Sequence, residues 1–373
     1  MKERSVVALI VMATLVVTSA GIGTILVTSR PILLIQTTTD LNDSGLLDAI
    51  KPVFDAEYHA NMEWVSVGTG QALANAALGE ADVVIVHSPT SEIAFVNHTN
   101  PAQTDAKLAI NYAGQGIMRI NIASNYYVIV GPTNDPLGIL NSAIMGNATA
   151  IFQKIYANRY NATTGTGIYF VSRGDASGTN AKEVSIWKSL GLWDSTGASS
   201  TYLGWPKNTP KSGDIWYLST GQGQAATLQI ANQKLAYALT DYSTWLNIRS
   251  TLTNLEVVSA KNCTLLKNIY SVIAVDPQLH PNVDFELAKK FIYFTAREGE
   301  NIIGNYTIGG QQAYCRCLNY TGTSPSGSPL DDVYNGTFGS NLGNPHYNPV
   351  APPQQACDQS YESSSSMPRR LSN

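Results

Sequence analysis

Arg173 is the one strong cation in a run of small hydroxyl and glycine residues, Ser172-Arg-Gly-Asp-Ala-Ser-Gly-Thr179. A guanidinium offers a planar fork of donors that matches the oxygens of an oxyanion. Ser177, Gly178 and Thr179 would add amide and hydroxyl donors beside it. Asp175 stands two residues after the arginine, where it would hold the guanidinium in place rather than touch a ligand. Two further turns have the same character: Thr37-Thr38-Thr39, continuing through Asp40 to Ser44, and Gly68-Thr69-Gly70. Each lies between the end of an apolar run and the start of a helical pattern. The first N–H groups of a helix are unpaired and sit at the positive end of its dipole, so an anion is favoured there. Any one such turn is ordinarily an N-cap, and an Arg beside an Asp is ordinarily a surface ion pair. Three such turns in one chain, one carrying an arginine, point instead to a site for a small anion. Its candidate contacts are Thr37, Thr38, Thr39, Gly68, Thr69, Gly70, Arg173, Ser177, Gly178 and Thr179.

The elements that must position these turns alternate between strand and helix. Residues 32–36 and 62–67 have the composition of short strands, and 81–86 is a Val/Ile run suited to a central parallel strand. Between them, Leu46, Leu47, Ile50, Val53 and Phe54 recur at helical spacing, which predicts a helix from about Ser44, and 71–78 is an Ala-rich helix. This βαβαβ opening argues for an open α/β sheet. Residues 88–124 have the character of loop and insertion. Further strands are expected at 126–130, 168–171, 215–218, 236–239, 255–258 and 270–275. Helices are expected at about 143–159, 183–190 and 225–232, and a long surface helix at 285–303. In open α/β sheets ligands bind beyond the carboxyl ends of the strands, which is where all three turns fall. From Gly309 the composition shifts, and 321–373 is rich in Ser, Pro, Gly and Asn, as in an irregular tail.

Charged residues make up 13% of the 373-residue chain and the net charge is −4, so no basic stripe for nucleic acid is present. Hydrophobic residues at 44% are enough for a large core. Lys2 and Arg4 precede an uncharged run from Ser5 to Ser29, long enough to span a bilayer. It reads as a signal peptide, with Thr18-Ser-Ala20 as a cleavage site, or as a retained anchor with the remainder outside the cell. Asn-x-Ser/Thr sequons at Asn42, Asn97, Asn147, Asn161, Asn262, Asn305, Asn319 and Asn335 are consistent with an exported and glycosylated protein. The cysteines are Cys263, Cys315, Cys317 and Cys357, and outside the cell a bridge from Cys315 or Cys317 to Cys357 is plausible. Too few further ligands lie near them to suggest a metal site, and no cofactor is expected.

The chain resembles the tungstate-binding components of ABC-type importers, within the type II periplasmic-binding-protein superfamily. The resemblance rests on Thr37-Thr-Thr, Asp43-Ser-Gly-Leu-Leu-Asp48, Val67-Gly-Thr-Gly-Gln-Ala-Leu73, Ala81-Asp-Val-Val-Ile-Val-His-Ser-Pro89, Phe170-Val-Ser-Arg-Gly-Asp175 with Ser177-Gly-Thr179, Trp216-Tyr-Leu with Thr220-Gly-Gln-Gly223, and Tyr270-Ser-Val-Ile-Ala-Val275. These run in order over about residues 33–305 and include neither the first thirty residues nor the tail. The resemblance implies a two-lobed α/β fold with a cleft that closes on the ligand. Residues 1–30 would be the targeting segment, 31–125 plus 242–312 lobe one, 126–241 lobe two, and 313–373 the tail. The chain would cross between lobes near Asn125–Gly131 and return near Ala236–Asp241. It further implies a solute-binding protein, not an enzyme, located outside the cytoplasm, delivering tungstate to a permease. Phosphate and molybdate are the alternatives within the same fold.

One position departs from the family pattern. Where the first motif continues with Ser, this chain has Asp40, whose carboxylate would repel a fully deprotonated dianion but would accept a proton from hydrogen phosphate. Asp40 is therefore expected to turn away and cap local backbone N–H groups. Ala176 and Asn180 also differ from the usual loop. Other classes have weaker support. Gly221-Gln-Gly223-Gln-Ala-Ala226, with Asp241 beyond it, has the spacing of a dinucleotide fingerprint but lies mid-chain and on the wrong side of a membrane. An extracellular hydrolase would need a Ser–His pair, yet His59, His87, His98, His280 and His346 are scattered, and His87 reads as a strand-end residue. A cell-surface structural or adhesive protein on the same fold would make the sequons and tail its working parts.

Overall fold

The structure, a computed structural model, describes residues 30–97, 104–105, 110–140, 142–194, 205–206, 216–260 and 264–317. The first motif forms β1 (Ile32–Thr38) and runs directly into α1 (Thr39–Ser44), which ends at Gly45 before α2 (Leu46–Tyr58). The helix expected from about Ser44 is thus preceded by a separate turn of helix that apolar spacing does not reveal. Then follow β2 (Asn61–Val67), α3 (Thr69–Ala76), β3 (Val83–Val86) and α4 (Pro89–Phe95). After β4 (Thr104–Asp105) and β5 (Ile110–Asn111), which pair with each other, comes β6 (Gly116–Pro132).

The second half of the chain continues with α5 (Ala148–Ala157), β7 (Phe170–Ser172), α6 (Gly178–Ser189), β8 (Trp193–Asp194), β9 (Trp205–Pro206), β10 (Tyr217–Ser219), α7 (Gln224–Lys234), β11 (Tyr237–Asp241) and α8 (Tyr242–Ile248). It closes with β12 (Leu255–Val257), β13 (Lys267–Val275), α9 (Phe285–Thr295), α10 (Glu298–Asn305), β14 (Thr307–Ile308), β15 (Gln311–Gln312) and β16 (Cys315–Arg316).

The main sheet has the order β10-β7-β11-β6-β13-β3-β1-β2. β6 is its shaft. It pairs antiparallel with β13 from Gly116 to Tyr126 and with β11 from Tyr127 to Val130, so two groups of strands meet along one continuous strand. On one side β2, β1 and β3 run parallel; on the other β11, β7 and β10 run parallel. Short sheets joined by extended crossovers and flanked by helices are what the two-lobed α/β expectation requires.

Residues 88–124 are correspondingly not a loop. α4 and the first half of β6 lie there, and polar residues conceal them: Arg119, Asn121, Ser124 and Asn125 are all buried. Arg119 donates to Glu92 of α4 from Nε (2.9 Å) and Nη2 (2.6 Å), and Ser271 Oγ of β13 lies 2.8 Å from the same Glu92 oxygen. Arg119, Asn121 and Asn125 each have a partner on another element, which lets the strand keep these polar groups buried. The expected long helix 285–303 is also divided. Arg297 leaves the helical region (ψ −96°) and Gly299 backs onto the Phe294 ring, so α9 and α10 are separate.

Apolar faces pack on both sides of the sheet. Phe54 of α2 meets Phe291 and Phe294 of α9 edge-on at centroid distances of 5.1 and 5.5 Å, a favourable ring geometry. Phe152, Phe170, Trp187 and Trp216 form the second aromatic centre, around β7 and α6. Residues 313–317, expected within the tail, instead bury Tyr314 and Cys315 and add β16 to β6 at Ser124 and Ala123. Cys317 is disulfide-bonded. The other bridging candidates, Cys263 and Cys357, lie outside the described residues, as do the hydrophobic segment 5–29 and the tail from 318. Among the described residues no helix is long and apolar enough to cross a membrane.

Candidate functional site

All three sequence-derived turns stand at carboxyl ends of parallel strands. Thr39 follows β1, Gly68 follows β2, and Arg173 follows β7. Local chemistry decides what each side chain can do. Thr37 Oγ1 donates to the Ile85 carbonyl (2.9 Å) and Thr38 Oγ1 accepts from Leu41 N (3.4 Å) as the N-cap of α1. The Thr37 hydroxyl proton is thus spent within the protein, and the Thr38 oxygen serves as a cap. Ser177 is the N-cap of α6, its Oγ accepting from Asn180 N (3.2 Å). Thr39 does meet Arg173, Thr179 meets the Asp40 carboxylate that also holds Arg173, and Gly68 abuts the Arg173 loop, while Gly70 stays half-buried in the first turn of α3.

Arg173 is buried, and its guanidinium is held from three directions. Nη1 donates to Asp40 Oδ1 (2.7 Å), Nη2 to Thr39 Oγ1 (3.0 Å) and to Asp175 Oδ2 (2.6 Å), and Nε to the same Asp175 oxygen (3.1 Å). Asp40 Oδ2 accepts from Thr179 Oγ1 (3.2 Å). His87 Nε2 lies 3.2 Å from that Oδ2, near enough for electrostatic pairing although out of line for a hydrogen bond. Asp40 therefore does the opposite of what its turn position suggests. Thr38 has taken the capping role, so the carboxylate of the next helical turn is available to reach across to the Arg173 loop.

Two glycines let these walls approach. A Cβ on Gly68 would stand 3.3 Å from the Asp175 carbonyl, and one on Gly178 would stand 2.8 Å from His87 Nε2, closer than real Cβ contacts come. Thr69, beside Gly68, is 2% exposed, and its hydroxyl has no hydrogen-bond partner among the described residues. A buried hydroxyl at the start of a helix with no acceptor or donor of its own is a polar group kept for something else.

The electrostatics follow from burial and these partners. Burial acts to raise the Asp40 carboxyl, but the charge of Arg173, together with His87 and Thr179, outweighs it and brings the group down to about 2. Burial acts to lower His87, and the neighbouring Asp40 and Asp241 charges overturn this and raise it. Geometry agrees. Asn268 donates from Nδ2 to Asp241 (2.7 Å) and to Asn125 (2.9 Å), so its Oδ1, 3.0 Å from His87 Nδ1, is left to accept a proton from that nitrogen. A neutral ring would then present a lone pair to the Asp40 carboxylate, whereas a protonated ring presents N–H.

His87 is the site residue that sequence reasoning missed. Its partners lie on α1, β6 and β13, and the ring stacks on Tyr270 with centroids 4.6 Å apart. The one signal available was its place directly after the Val83–Val86 strand, at the same sheet edge as the turns. Asp241 is likewise no ribose ligand. It caps α8, and its carboxylate accepts from Asn125, Asn268, Tyr270 and the Ser243 amide.

Two sets of parallel strands joined along β6, with an anion-type donor set where their carboxyl ends face, define a solute-binding protein. The chain belongs to the PBP superfamily, whose domain matches residues 23–298. Among characterised relatives, it is 32% identical over 283 residues to the tungstate-binding protein TupA of Peptoclostridium acidaminophilum, covering 76% of this chain and 82% of that one. It is 35% identical over 287 residues to a putative ABC transporter anion-binding protein of Haloferax volcanii, covering 76% of this chain and 71% of the relative. Among solved structures, the tungstate-binding protein TupA of Desulfovibrio alaskensis G20 has a TM-score of 0.56 at 30% identity, over 78% of this chain and all (100%) of its own. The tungstate ABC transporter structure from Geobacter sulfurreducens also has a TM-score of 0.56, at 34% identity over 74% and 98% of the two chains.

Proposed function

We propose that this protein is the extracytoplasmic component of an ABC-type importer, and that it captures a tetrahedral oxyanion, tungstate, for delivery to a permease. The observation that carries the reading is the buried guanidinium of Arg173, which meets the Thr39 hydroxyl from the far side of the sheet and shares the Asp40 carboxylate with the Thr179 hydroxyl. A planar cation among neutral hydroxyl donors binds an oxyanion through charge-assisted hydrogen bonds while leaving its release possible. The relatives named for tungstate, at 32% and 31% identity, support this ligand.

The division into lobes belongs to the same reading. Residues 31–125 with 242–312 would form one lobe and 126–241 the other, closing about the shared strand β6. Thr37, Thr38, Gly70 and Ser177 then act through their backbone, by shaping the turns, and Thr39, Thr69, Arg173, Gly178 and Thr179 line the site. No catalytic role is assigned to any of them. Isothermal titration of the purified protein with sodium tungstate, molybdate, phosphate and sulfate tests the proposal. The expected order places tungstate tightest. Absence of heat and of thermal stabilisation with all four anions would remove the transport reading.

A further inference from the structure

The donors that should receive the anion are already engaged by the protein's own carboxylate. Asp40 holds Arg173 Nη1 at 2.7 Å and Thr179 Oγ1 at 3.2 Å, with His87 Nε2 at 3.2 Å. It is fully buried, and so are its partners. A tungstate ion brought to the same donors would set two negative centres side by side away from water. Carboxylates forced together in this way do not both stay ionised. A single proton resolves the conflict, because a protonated Asp40 is a hydroxyl donor to the anion instead of a competing acceptor. The Thr69 hydroxyl, in the turn after β2, is buried and has no hydrogen-bond partner among the described residues.

We infer that the site takes up its dianion together with one proton, held between the Asp40 carboxyl and an oxygen of the bound anion. The inference deepens the oxyanion reading above and rests on it. No bond other than hydrogen bonds changes. A proton from solvent joins the site as the anion enters and leaves with it.

The surroundings of Asp40 favour this group as the carrier. Arg173 and Asp175 face it from the loop after β7, Thr179 from α6, and His87 from the end of β3. Asp43 lies on its own helix, and Asp241 with the Tyr127 and Tyr270 phenols stands behind His87. Arg173 keeps its charge, and Asp175 stays bound to two of its nitrogens. His87 Nε2 stands 3.2 Å from Asp40 Oδ2 but out of line for a hydrogen bond, so it does not share the donors that Asp40 occupies. Asp40, ionised in the unliganded protein, is the remaining acceptor in contact with the anion's donors.

The consequence is a selectivity rule by protonation. Tungstate and molybdate are fully deprotonated at mildly alkaline pH and must draw the proton from solvent. Hydrogen phosphate brings its own. Titration calorimetry at pH 8 in buffers of different ionisation enthalpy reads the protons taken up. About one is expected per tungstate or molybdate, and about none per phosphate. By proton linkage, the tungstate Kd should then rise about tenfold per pH unit. In Asp40→Asn, whose amide cannot ionise, the uptake should disappear and tungstate at pH 8 should bind at least tenfold tighter. In His87→Gln the uptake should remain about one.

Tungstate binding without proton uptake by the wild-type protein would overturn the inference while leaving the oxyanion reading intact. So would uptake that persists in Asp40→Asn, or that vanishes in His87→Gln alone. If neither tungstate, molybdate nor phosphate bound, both would fall together.

Discussion

Two fully buried carboxylates stand at the centre of this molecule, and they are held in opposite ways. Asp40 is met by a guanidinium, an imidazole and a hydroxyl: Arg173, His87 and Thr179. Asp241 is met by neutral dipoles: Asn125 Nδ2 at 3.0 Å, Asn268 Nδ2 at 2.7 Å, Tyr270 Oη at 2.7 Å, the Ser243 amide at 2.7 Å and the Ser243 hydroxyl. The first group is driven down to about 2, because the Arg173 charge, with His87 and Thr179, outweighs burial. The second is raised, because burial and the nearby Asp40 charge outweigh what its dipoles supply. Mobile charge compensation can be contested by an arriving anion. Dipoles fixed on β6, β13 and α8 cannot follow a ligand and instead fix where those elements stand. The Asn268–His87 contact joins the two clusters.

This contrast can be broken from either side. Asp241→Ala should have the largest effect on folding, since it strands several buried donors at once. A loss of about 3 kcal/mol is expected from the usual penalties for unsatisfied buried groups. Denaturant unfolding followed by tryptophan emission measures it, and a loss below about 1 kcal/mol would show the cluster to be dispensable. Arg173→Ala should act on binding. Charge-assisted hydrogen bonds are worth about 1.5–3 kcal/mol, so the tungstate Kd should rise at least tenfold. Arg173→Lys should recover little of it, because the planar fork is lost. Calorimetry on folded variants decides it, and unchanged affinity in Arg173→Ala would remove the residue from the site.

A finer distinction concerns closure. Gly178→Ala should weaken tungstate binding severalfold and lower thermal stability as well, because its methyl would stand 2.8 Å from His87 Nε2. Equal affinity for wild type and variant would mean that this contact is absent from the bound state.

The smallest expected effect belongs to Glu183. It is buried behind the Arg173 loop, accepts from Ser172 Oγ (2.6 Å), Trp187 Nε1 (3.0 Å) and Tyr217 Oη (2.7 Å), and is raised to about 7 because burial outweighs these bonds. The folded state therefore holds a proton that the unfolded chain releases near the ordinary glutamate value of 4.5. Stability should be full below that value and decline as pH rises toward about 7. Glu183→Gln should flatten that slope in a series of melting curves. An unchanged slope would assign it to other groups.

The parts of this architecture legible in the sequence are those whose cause is local. Val83–Val86 is a strand because four β-branched residues adjoin, and Arg173 draws notice because it stands alone among small residues. The first half of β6 was not legible, because its buried Arg119, Asn121 and Asn125 find partners 27 to 150 residues away. The Asp40 side chain was misjudged for a related reason. Capping is a local habit of aspartate, but Thr38 had already filled it, and the Arg173 that claims Asp40 lies 133 residues on. His87 could not be distinguished from a structural histidine while its acid on α1 was unknown.

At Gly68 the wall of the site meets the Asp175 carbonyl through bare backbone, and at Gly178 it lies flat against the His87 ring. Such a junction has few rotamers to freeze on shutting and few to free on opening. Differences in affinity within one kind of complex are carried mostly by dissociation rates. A receptor must not only seize a scarce anion but surrender it at the membrane, and a smooth glycine seam favours rapid reopening. Residence time, more than capture, is thus the quantity that two missing methyl groups are expected to set.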